Sequence, residues 1–356
     1  PQLEVMLAVD LTTYPQQDYD LRISAVTADN IALLQALDSW SPVAAVRAQP
    51  FRQLAVREQG GDWLRFGADD ERELGYMVEN KLLQASLLQR LQQHPGVELI
   101  AAKVLSVADG IVALDNQEQP QLAYEWLVVA DGASSATRRA LGMGTTGVSY
   151  HERCLLTLVK LQQPAGDGTW QTFAGREVHA LLPLCDDYAC LIVYADSPVI
   201  QTWQQSQDTV DAVLKERFRA QLGDFELINF ASFPLQHQQA LRTFCAQQRA
   251  LVIGDAAHAI HPLAGQGVNL GLRDVAALHA LIADFTDEHH QLGVKLARVM
   301  QQRQAANVLM GQGLDVVARV FRSENPLLQV ARRLGFVGLR QLPAVRSMLA
   351  KLAGQS

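Results

Sequence analysis

Two segments of the sequence run from apolar residues straight into an acidic residue beside a glycine. Residues 128–132 read Val-Val-Ala-Asp-Gly, and residues 251–255 read Leu-Val-Ile-Gly-Asp. A short apolar run of this kind is typical of a strand buried in a parallel sheet, and such sheets bind ligands outside the carboxyl ends of their strands. The two segments therefore predict ligand-binding turns at the edge of an α/β core.

A glycine-rich segment lies just beyond the second of these turns. Residues 265–271 read Gly-Gln-Gly-Val-Asn-Leu-Gly and precede a helix predicted over 267–283. The first backbone N–H groups of a helix have no partner within the helix, and its dipole favours negative charge at that end. The segment therefore predicts a place for an anion or a partial negative charge.

A second glycine pattern, at residues 142–147, matches GxGxxG. A phosphate-binding loop of this type needs a strand before it and a helix after it. Here the preceding residues, 136–141, have a helical pattern, so we predict a loop without a nucleotide.

His258 and His261 form an HxxH pattern beside the second acidic turn. Two histidines at this spacing on one helical face are candidate metal ligands. Pro262 follows at once and interrupts a helix, and no third ligand is evident. No metal site is predicted.

The amino-acid composition excludes several classes of protein and of binding partner. The 356 residues are 49% hydrophobic and 19% charged, with a net charge of −7, which excludes a disordered tail and argues against nucleic acid as a partner. The four cysteines are scattered without a CxxC pair, so we expect neither zinc nor disulfides, and a reducing, cytoplasmic location. Neither a membrane-spanning run nor a signal peptide is recognised.

The pattern along the chain alternates strands with helices and then changes. Predicted elements of the α/β core are strands at 5–9, 97–100, 125–130 and 250–255, and helices at 24–37, 79–91 and 267–283. Residues 45–68 and 150–235 are rich in β-forming runs separated by turns and predict a second, antiparallel sheet with one helix near 207–222. From about residue 290 the pattern is helical.

Taken together, the motifs resemble one family. Residues 251–258 and 261–271 look like the second FAD motif of the single-component FAD-dependent aromatic hydroxylases. Residues 128–138 resemble the Asp-Gly motif of that family, and residues 20–25 resemble its arginine segment. The order and spacing match over essentially the whole chain.

Within the family, the ubiquinone-biosynthesis branch is the most similar. The segments that carry this closer resemblance are 75–80, 169–171, 233–235 and 269–275. The resemblance implies a doubly wound FAD-binding domain (1–44, 75–148 and 246–290), a substrate domain (45–74 and 149–245) with an inserted antiparallel sheet, and a C-terminal helical region (291–356).

The resemblance also implies roles for individual residues. Arg22 would meet the FAD pyrophosphate, Asp255 the ribityl hydroxyls, and Asp10 the adenosine ribose, unless Asp10 only ends a strand. Pro262 would lie against the flavin, and His258 is either a polar residue near the ring or a structural residue. The other implied FAD-binding residues are Asp131, Gly132, Gly254, Gly265, Gln266, Gly267 and Asn269, whereas Ser135 and Arg138 would stabilise the Asp-Gly turn.

The implied activity is a flavin monooxygenase reaction. NAD(P)H would reduce FAD, O₂ would form a flavin C4a-hydroperoxide, and the aromatic ring of a polyprenylated benzoquinol would be hydroxylated. Two alternatives stay open: a flavin-free assembly subunit of a ubiquinone-biosynthesis complex, and another flavin oxidoreductase. The Trp-x-Trp signature of flavin halogenases is absent from the sequence.

The two ends of the chain raise separate expectations. The family opens with a strand, a GxGxxG turn and a helix, and this sequence begins at the predicted second strand. We therefore expect FAD in the full-length protein and weak or no FAD binding by a chain without that unit. From Val316 onward seven basic residues stand against one acidic residue. This segment predicts either a solvated helical face or a peripheral contact with the inner face of the membrane.

Overall fold

The computed structural model describes residues 19–67, 72–260, 265–283 and 289–322. Its strands are β1 Ile23–Thr27, β2 Gln49–Phe51, β3 Gln53–Glu58, β4 Leu64–Phe66, β5 Gly75–Glu79, β6 Val104–Ala108, β7 Ile111–Leu114, β8 Gln121–Ala123, β9 Leu127–Val129, β10 Thr145–Leu161, β11 Gly168–Ala174, β12 Glu177–Pro183, β13 Tyr188–Asp196, β14 Phe225–Ala240, β15 Phe244–Cys245, β16 Ala250–Val252 and β17 His258–Ala259. Its helices are α1 Ala28–Ala36, α2 Trp40–Val46, α3 Asn80–Gln92, α4 Ala136–Ala140, α5 Ser197–Trp203, α6 Gln207–Leu222, α7 Gln266–Ala283 and α8 His289–Arg322, with a 3-10 turn at Gly254–Ala256.

The chain forms two compact units. Unit 1 contains Leu91–Tyr150 and Gln236–Asp315, and unit 2 contains Val9–Arg90 and His151–Leu235, each as far as it is described. The three predicted domains divide the chain at other residues, and their boundaries stay a prediction. Within the described ranges, no helix is long and apolar enough to cross a membrane.

A short parallel pair of strands lies at the centre of unit 1. β9 and β16 are parallel, and β15 adds to the other edge of β16 in the antiparallel sense. Ala250 and Val252 pack into the cluster formed with β6, β7 and Leu141, the residue after α4, whereas Leu251 and Ile253 pack against α7 and α8. Because both faces of β16 are buried, its sequence is a continuous apolar run rather than an alternating one.

Unit 2 is built on a large sheet whose strands lie in the order β14, β10, β13, β12, β11, β3 and β4. The pairs β10–β13, β13–β12 and β12–β11 are antiparallel, and β11 and β3 form a parallel pair. Helix α6 covers one face with Val210, Leu214 and Phe218. It begins after Ser206, whose Oγ accepts a hydrogen bond from Thr209 N (3.1 Å), and it ends before Gly223, which has a φ of +72°.

Most predicted elements are confirmed, including α3, α4, α6, α7 and the α/β fold class with an added sheet and C-terminal helix. Two assignments were wrong. Residues 97–100 form no strand: Val97 and Leu99 are exposed, so their side chains gain no burial from pairing. The helix predicted over 24–37 begins only at Ala28, because residues before it pair with β5 as strand β1. The strand predicted at 5–9 lies outside the described residues.

Stability at low pH is expected to depend on Glu177 of β12. Arg217 donates to both of its oxygens (2.7 and 2.9 Å), and His179 Nε2 lies 2.7 Å from Oε2. Burial acts to raise the pKa of Glu177, but the hydrogen bonds from Arg217 and His179 outweigh it and lower that pKa from 4.5 to about 2. A lowered folded-state pKa stabilises the fold above the unfolded value, and this stabilisation is lost as the pH falls towards 2.

The substitution Glu177→Gln is therefore expected to lower the free energy of unfolding at pH 7 by about 2–3 kcal/mol. The difference from the wild type should shrink as the pH falls from 4.5 to 2, as urea denaturation at several pH values would show. Glu216 bonds the same arginine (2.9 Å), but its side chain is 76% exposed, so Glu216→Gln is the matched control and should change little. A pH-independent difference for Glu177→Gln would contradict this assignment.

Candidate functional site

The carboxyl ends of β9 and β16 meet at one edge of the unit 1 sheet. Val128 pairs with Leu251 and Val129 with Val252 in the parallel register, and Ile253 N donates to Val129 O (3.0 Å) one residue further on. Since both strands end at the same level, the turn after each strand lies at the same edge. The structure thus brings the two predicted turns together, one with Asp131 and the other with Asp255.

The first turn holds Asp131 as an ionised acceptor. Its Oδ2 accepts a hydrogen bond from Thr137 N at the start of α4 (3.1 Å). Burial acts to raise the pKa of Asp131, but hydrogen bonds from Ser135 and Thr137 outweigh it, so this pKa is lowered. Its Oδ1 is buried and has no hydrogen-bond partner in the described part of the chain. One carboxylate oxygen therefore remains available at the turn.

Arg138 ties the first turn to the second. Its side chain is buried, and its Nη1 donates to Ala256 O of the second turn (2.5 Å) and to Ala133 O of the first (3.4 Å). Ser135 is the N-cap of α4 and accepts a hydrogen bond from Arg138 N (2.9 Å). The geometry agrees with the expectation that Ser135 and Arg138 stabilise the turn.

The second turn is compact and close to α7. Gly254 has a φ of +57°, which favours glycine, and a Cβ at Gly271 of α7 would come within 3.3 Å of Gly254 Cα. The glycine at each position therefore permits the helix to approach the turn. Asp255 is exposed at this edge.

The predicted helix N-terminus lies where the glycine pattern placed it in the sequence. Helix α7 begins at Gln266, directly after Gly265 with its φ of +61°. Asn269 is fully buried, and its Nδ2 donates to Gly265 O (3.3 Å), which fixes the first turn of the helix. A Cβ built on Gly267 would meet no atom of the described residues within 4 Å, so these residues leave open space beside this turn.

His258 is buried and bonded rather than exposed at the edge. It is 1% exposed, and its Nε2 lies 2.6 Å from Asp274 Oδ2 of α7. Its Nδ1 is also buried and has no partner among the described residues. Its role, near the flavin ring or structural, stays a prediction.

Sequence reasoning missed three polar residues beneath the second turn. Asp274 of α7 accepts hydrogen bonds from Arg303 Nε (2.9 Å) and Asn307 Nδ2 (3.1 Å) of α8 as well as from Gly254 N (3.2 Å). A signal for Asp274 exists in the sequence, because it lies midway between the buried Leu270 and Leu278 at helical spacing. A charged residue at such a core position requires a partner.

The other predicted site residues belong to unit 2 or lie outside the described ranges. Arg22 belongs to unit 2, where it is exposed and its guanidinium lies 5.2 Å from the ring centre of Phe233. Asp10 and Pro262 lie outside the described residues, as do His261 and the side chain of Gln266.

The sequence predicted a loop at the GxGxxG pattern of residues 142–147 and no metal site at the HxxH pattern of His258 and His261. The residues of the GxGxxG pattern form the turn after α4 and the first part of β10, without a helix after them. Within the described ranges, no group of three His, Cys, Asp or Glu residues is arranged to hold a metal ion.

The residues present at the edge fit FAD. An ionised carboxylate with an unused buried oxygen, an exposed carboxylate on the adjacent turn, and the open first turn of α7 provide hydrogen-bond acceptors and backbone donors. Ribose and ribityl hydroxyls bind to carboxylates, and negatively charged groups bind at helix N-termini. These groups can therefore bind the hydroxyls and the negative charge of a flavin dinucleotide.

Comparisons with known proteins agree with this assignment. The family model described as "FAD binding domain" matches residues 90–306. The chain is 34% identical to 3-demethoxyubiquinol 3-hydroxylase of Escherichia coli K12, over 94% of this chain and 87% of that protein. It is 26% identical to the mitochondrial ubiquinone biosynthesis monooxygenase COQ6 of Xenopus tropicalis, over 95% of this chain and 84% of that protein.

Solved structures share the fold. The crystal structure of p-nitrophenol 4-monooxygenase PnpA from Pseudomonas putida DLL-E4 matches with a TM-score of 0.74 and 18% identity, over 96% of this chain and 90% of that chain. This likeness confirms an α/β flavin monooxygenase fold with mixed sheets and C-terminal helices. From its sequence matches and its fold, the chain belongs to the FAD-binding monooxygenases of ubiquinone biosynthesis.

Proposed function

We propose that the protein hydroxylates the aromatic ring of a polyprenylated ubiquinone precursor, with FAD as cofactor, O₂ as oxidant and NAD(P)H as electron donor. The observation that carries the proposal is the meeting of the Asp131 and Asp255 turns at the carboxyl ends of two parallel strands, beside the start of α7. The name of the Escherichia coli relative supports the substrate class.

Each group at the edge has a distinct task in holding FAD. Asp255 would accept hydrogen bonds from ribityl hydroxyls, and Asp131 with Gly132 would support the same cofactor from the neighbouring turn. The backbone N–H groups around Gly265, Gln266 and Gly267 would stabilise negative charge on the reduced ring, because the positive end of the α7 dipole lies there. When bound, FAD supplies electron transfer from NAD(P)H and the activation of O₂.

Residues beyond the edge complete the proposed site. Arg22 would bind the pyrophosphate and Asp10 the adenosine ribose. Pro262 and His258 are the proposed residues near the reacting ring. The second sheet would supply an apolar pocket that excludes water from the oxygen-transfer step. Membrane contact through the segment from Val316 onward stays a prediction, because that segment lies almost entirely outside the described residues.

The proposal is tested with the purified chain and with the same chain extended by the family's strand–GxGxxG–helix unit. We expect the extended protein to bind FAD with absorbance bands at about 370 and 450 nm, as bound oxidised flavin shows. It should also consume O₂ with NAD(P)H and a short-chain prenyl benzoquinol, forming a product heavier by one oxygen. Absence of flavin from both proteins after FAD is added would support the assembly-subunit alternative instead.

Two glycines offer a matched test of the FAD site. Gly132 and Gly142 have φ values of +83° and +65°, and a Cβ on either would meet no atom of the described ranges within 4 Å. Alanine at each position should therefore cost about 1 kcal/mol of folding stability from backbone strain alone. Only Gly132 adjoins Asp131, so only Gly132→Ala is expected to raise the Kd for FAD, by about tenfold or more.

Fluorescence titration with FAD and thermal denaturation measure the two effects separately. Gly142→Ala is the control, since it carries the same strain outside the proposed site. Equal Kd values for the two variants would argue against FAD at the Asp131 turn. If only Gly142→Ala raised the Kd for FAD, the GxGxxG pattern at residues 142–147 would be the nucleotide-binding loop instead.

A further inference from the structure

We propose that Asp274, Arg303 and Asn307 are positioning residues for the FAD site, so that helix α8 is part of that site. The inference rests on the proposed function, because it assigns these residues to the turn that would hold the ribityl chain. It also extends the site to a helix that the sequence analysis assigned to a separate C-terminal region.

The buried carboxylate of Asp274 is surrounded by four hydrogen-bond donors, and we call this arrangement the Asp274 network. Asp274 Oδ2 lies 3.2 Å from Gly254 N and 2.6 Å from His258 Nε2. Asp274 Oδ1 lies 2.9 Å from Arg303 Nε and 3.1 Å from Asn307 Nδ2. Arg303 Nη2 also donates to Asn307 Oδ1 (2.8 Å), so the two α8 residues orient each other.

The chemistry of the carboxylate determines how its neighbours are arranged. Burial acts to raise the pKa of Asp274, but the hydrogen bond and charge of His258, with those from Arg303 and Asn307, outweigh it and lower that pKa. An ionised carboxylate only accepts hydrogen bonds, so His258 Nε2 must carry a hydrogen. The neutral form of His258 therefore has its lone pair on Nδ1, the buried atom without a partner among the described residues.

The Asp274 network fixes the position of the turn that carries Asp255. Gly254 N is held by Asp274, and Gly254 Cα is close to Gly271, so the turn has little freedom to move relative to α7. Arg303 and Asn307 hold the other oxygen of the carboxylate from α8. A displacement of Asp274 would therefore be transmitted to the backbone next to Asp255.

A simpler role for the α8 residues is to attach the helix to unit 1. Gln304, next to Arg303 in sequence, does attach it, because its Nε2 donates to Ala240 O (3.1 Å) and Leu241 O (3.3 Å) at the end of β14. In the described part of the chain, Gln304 forms no hydrogen bond with Asp274 or the Gly254 turn. The variant Gln304→Leu therefore loosens the attachment of α8 without altering the carboxylate, and it serves as the matched control.

The experiment compares Asp274→Asn, Arg303→Lys and Gln304→Leu in the full-length protein. An asparagine retains one acceptor oxygen for four donors, and a lysine retains the charge of Arg303 but loses its planar pair of donors. We expect Asp274→Asn and Arg303→Lys to raise the Kd for FAD at least tenfold over Gln304→Leu. All three variants should lower the melting temperature of the FAD-free protein.

A double variant tests whether Asp274 acts through the turn. If it does, Asp255→Ala combined with Asp274→Asn should bind FAD about as weakly as Asp255→Ala alone, because the effect of Asp274 passes through the residue already removed. Additive losses in Kd would overturn the inference, as would wild-type Kd values in both Asp274→Asn and Arg303→Lys. A wild-type protein that binds no FAD would overturn the proposed function, and the inference with it.

Discussion

Replacing Asp255 by alanine is expected to weaken FAD binding about 100-fold while leaving the melting temperature of the FAD-free protein almost unchanged. A hydrogen bond from a hydroxyl to a carboxylate contributes about 1.5–3 kcal/mol, and a tenfold change in Kd corresponds to about 1.4 kcal/mol. Because Asp255 is exposed on its turn, the side chain adds little to the packing of the fold. Fluorescence titration and thermal denaturation measure the two quantities.

The direction of the change in Kd distinguishes the loss of a hydrogen bond from the loss of a negative charge. FAD carries a negatively charged pyrophosphate, and the protein has a net charge of −7, so removing an acidic residue reduces the repulsion between them. Glu118→Ala is the control, since it removes an exposed acidic residue from the segment between β7 and β8 in the same unit. A lower Kd in both variants would show that Asp255 forms no hydrogen bond with the cofactor.

Local patterns predicted the edge of the site because each of its two strands is an apolar run, although only β16 is buried on both faces and Val128 of β9 is 50% exposed. The apolar run at residues 250–253 requires partners on each side, and the structure provides β6 and β7 on one side and α7 and α8 on the other. The turn after such a strand must lie at the sheet edge. Asp131 and Asp255 were therefore predictable from their position after a strand, and the start of α7 from its glycines.

The polar support beneath the edge was not predictable in the same way. Asp274 interrupts the apolar face of α7, and this pattern shows that it is buried. Its partners Arg303 and Asn307 are 29 and 33 residues further along the chain. Helical periodicity alone does not tell which residues of α8 face α7, because that depends on how the two helices pack.

Exposure accounts for the strand that was predicted wrongly. Val97 and Leu99 are 39% and 47% exposed, although their apolar pattern resembles that of β16. A run of four residues contains too little information to distinguish a buried strand from an exposed connection. The longer segments, such as those of α3 and α6, were predicted correctly because their periodicity extends over several turns.

The second large effect is expected in unit 2, where Glu79→Ala should lower the free energy of unfolding by about 3–5 kcal/mol, the usual cost of leaving one partner of a buried ion pair alone. Glu79 and Arg47 are almost fully buried and share two hydrogen bonds, of 2.6 and 2.9 Å. Glu79 Oε1 also accepts a hydrogen bond from Asp20 N (2.7 Å). Alanine would leave both donors without this acceptor, and urea denaturation measures the loss.

Two further variants show whether the loss comes from the uncompensated charge. Arg90→Ala breaks an exposed ion pair with Asp38 in the same unit and should cost less than about 1 kcal/mol. The double variant Arg47→Met with Glu79→Leu removes both charges and is expected to recover much of the stability lost in Glu79→Ala. A double variant as unstable as Glu79→Ala would show that the shape of the site, rather than its charge, determines the loss.

The ion pair of Arg47 and Glu79 also affects the segment that carries Arg22, the residue proposed to bind the pyrophosphate. Glu79 Oε1 accepts a hydrogen bond from Asp20 N, and Asn80 N donates to Arg22 O (2.9 Å), so one hydrogen bond holds the backbone on each side of Leu21. If Arg22 binds the pyrophosphate, the double variant Arg47→Met with Glu79→Leu should regain stability. It should still bind FAD more weakly than the wild type does, because Asp20 N has lost its hydrogen bond to Glu79. Recovery of both stability and FAD affinity would mean that the bond from Asp20 N to Glu79 is not needed to place Arg22.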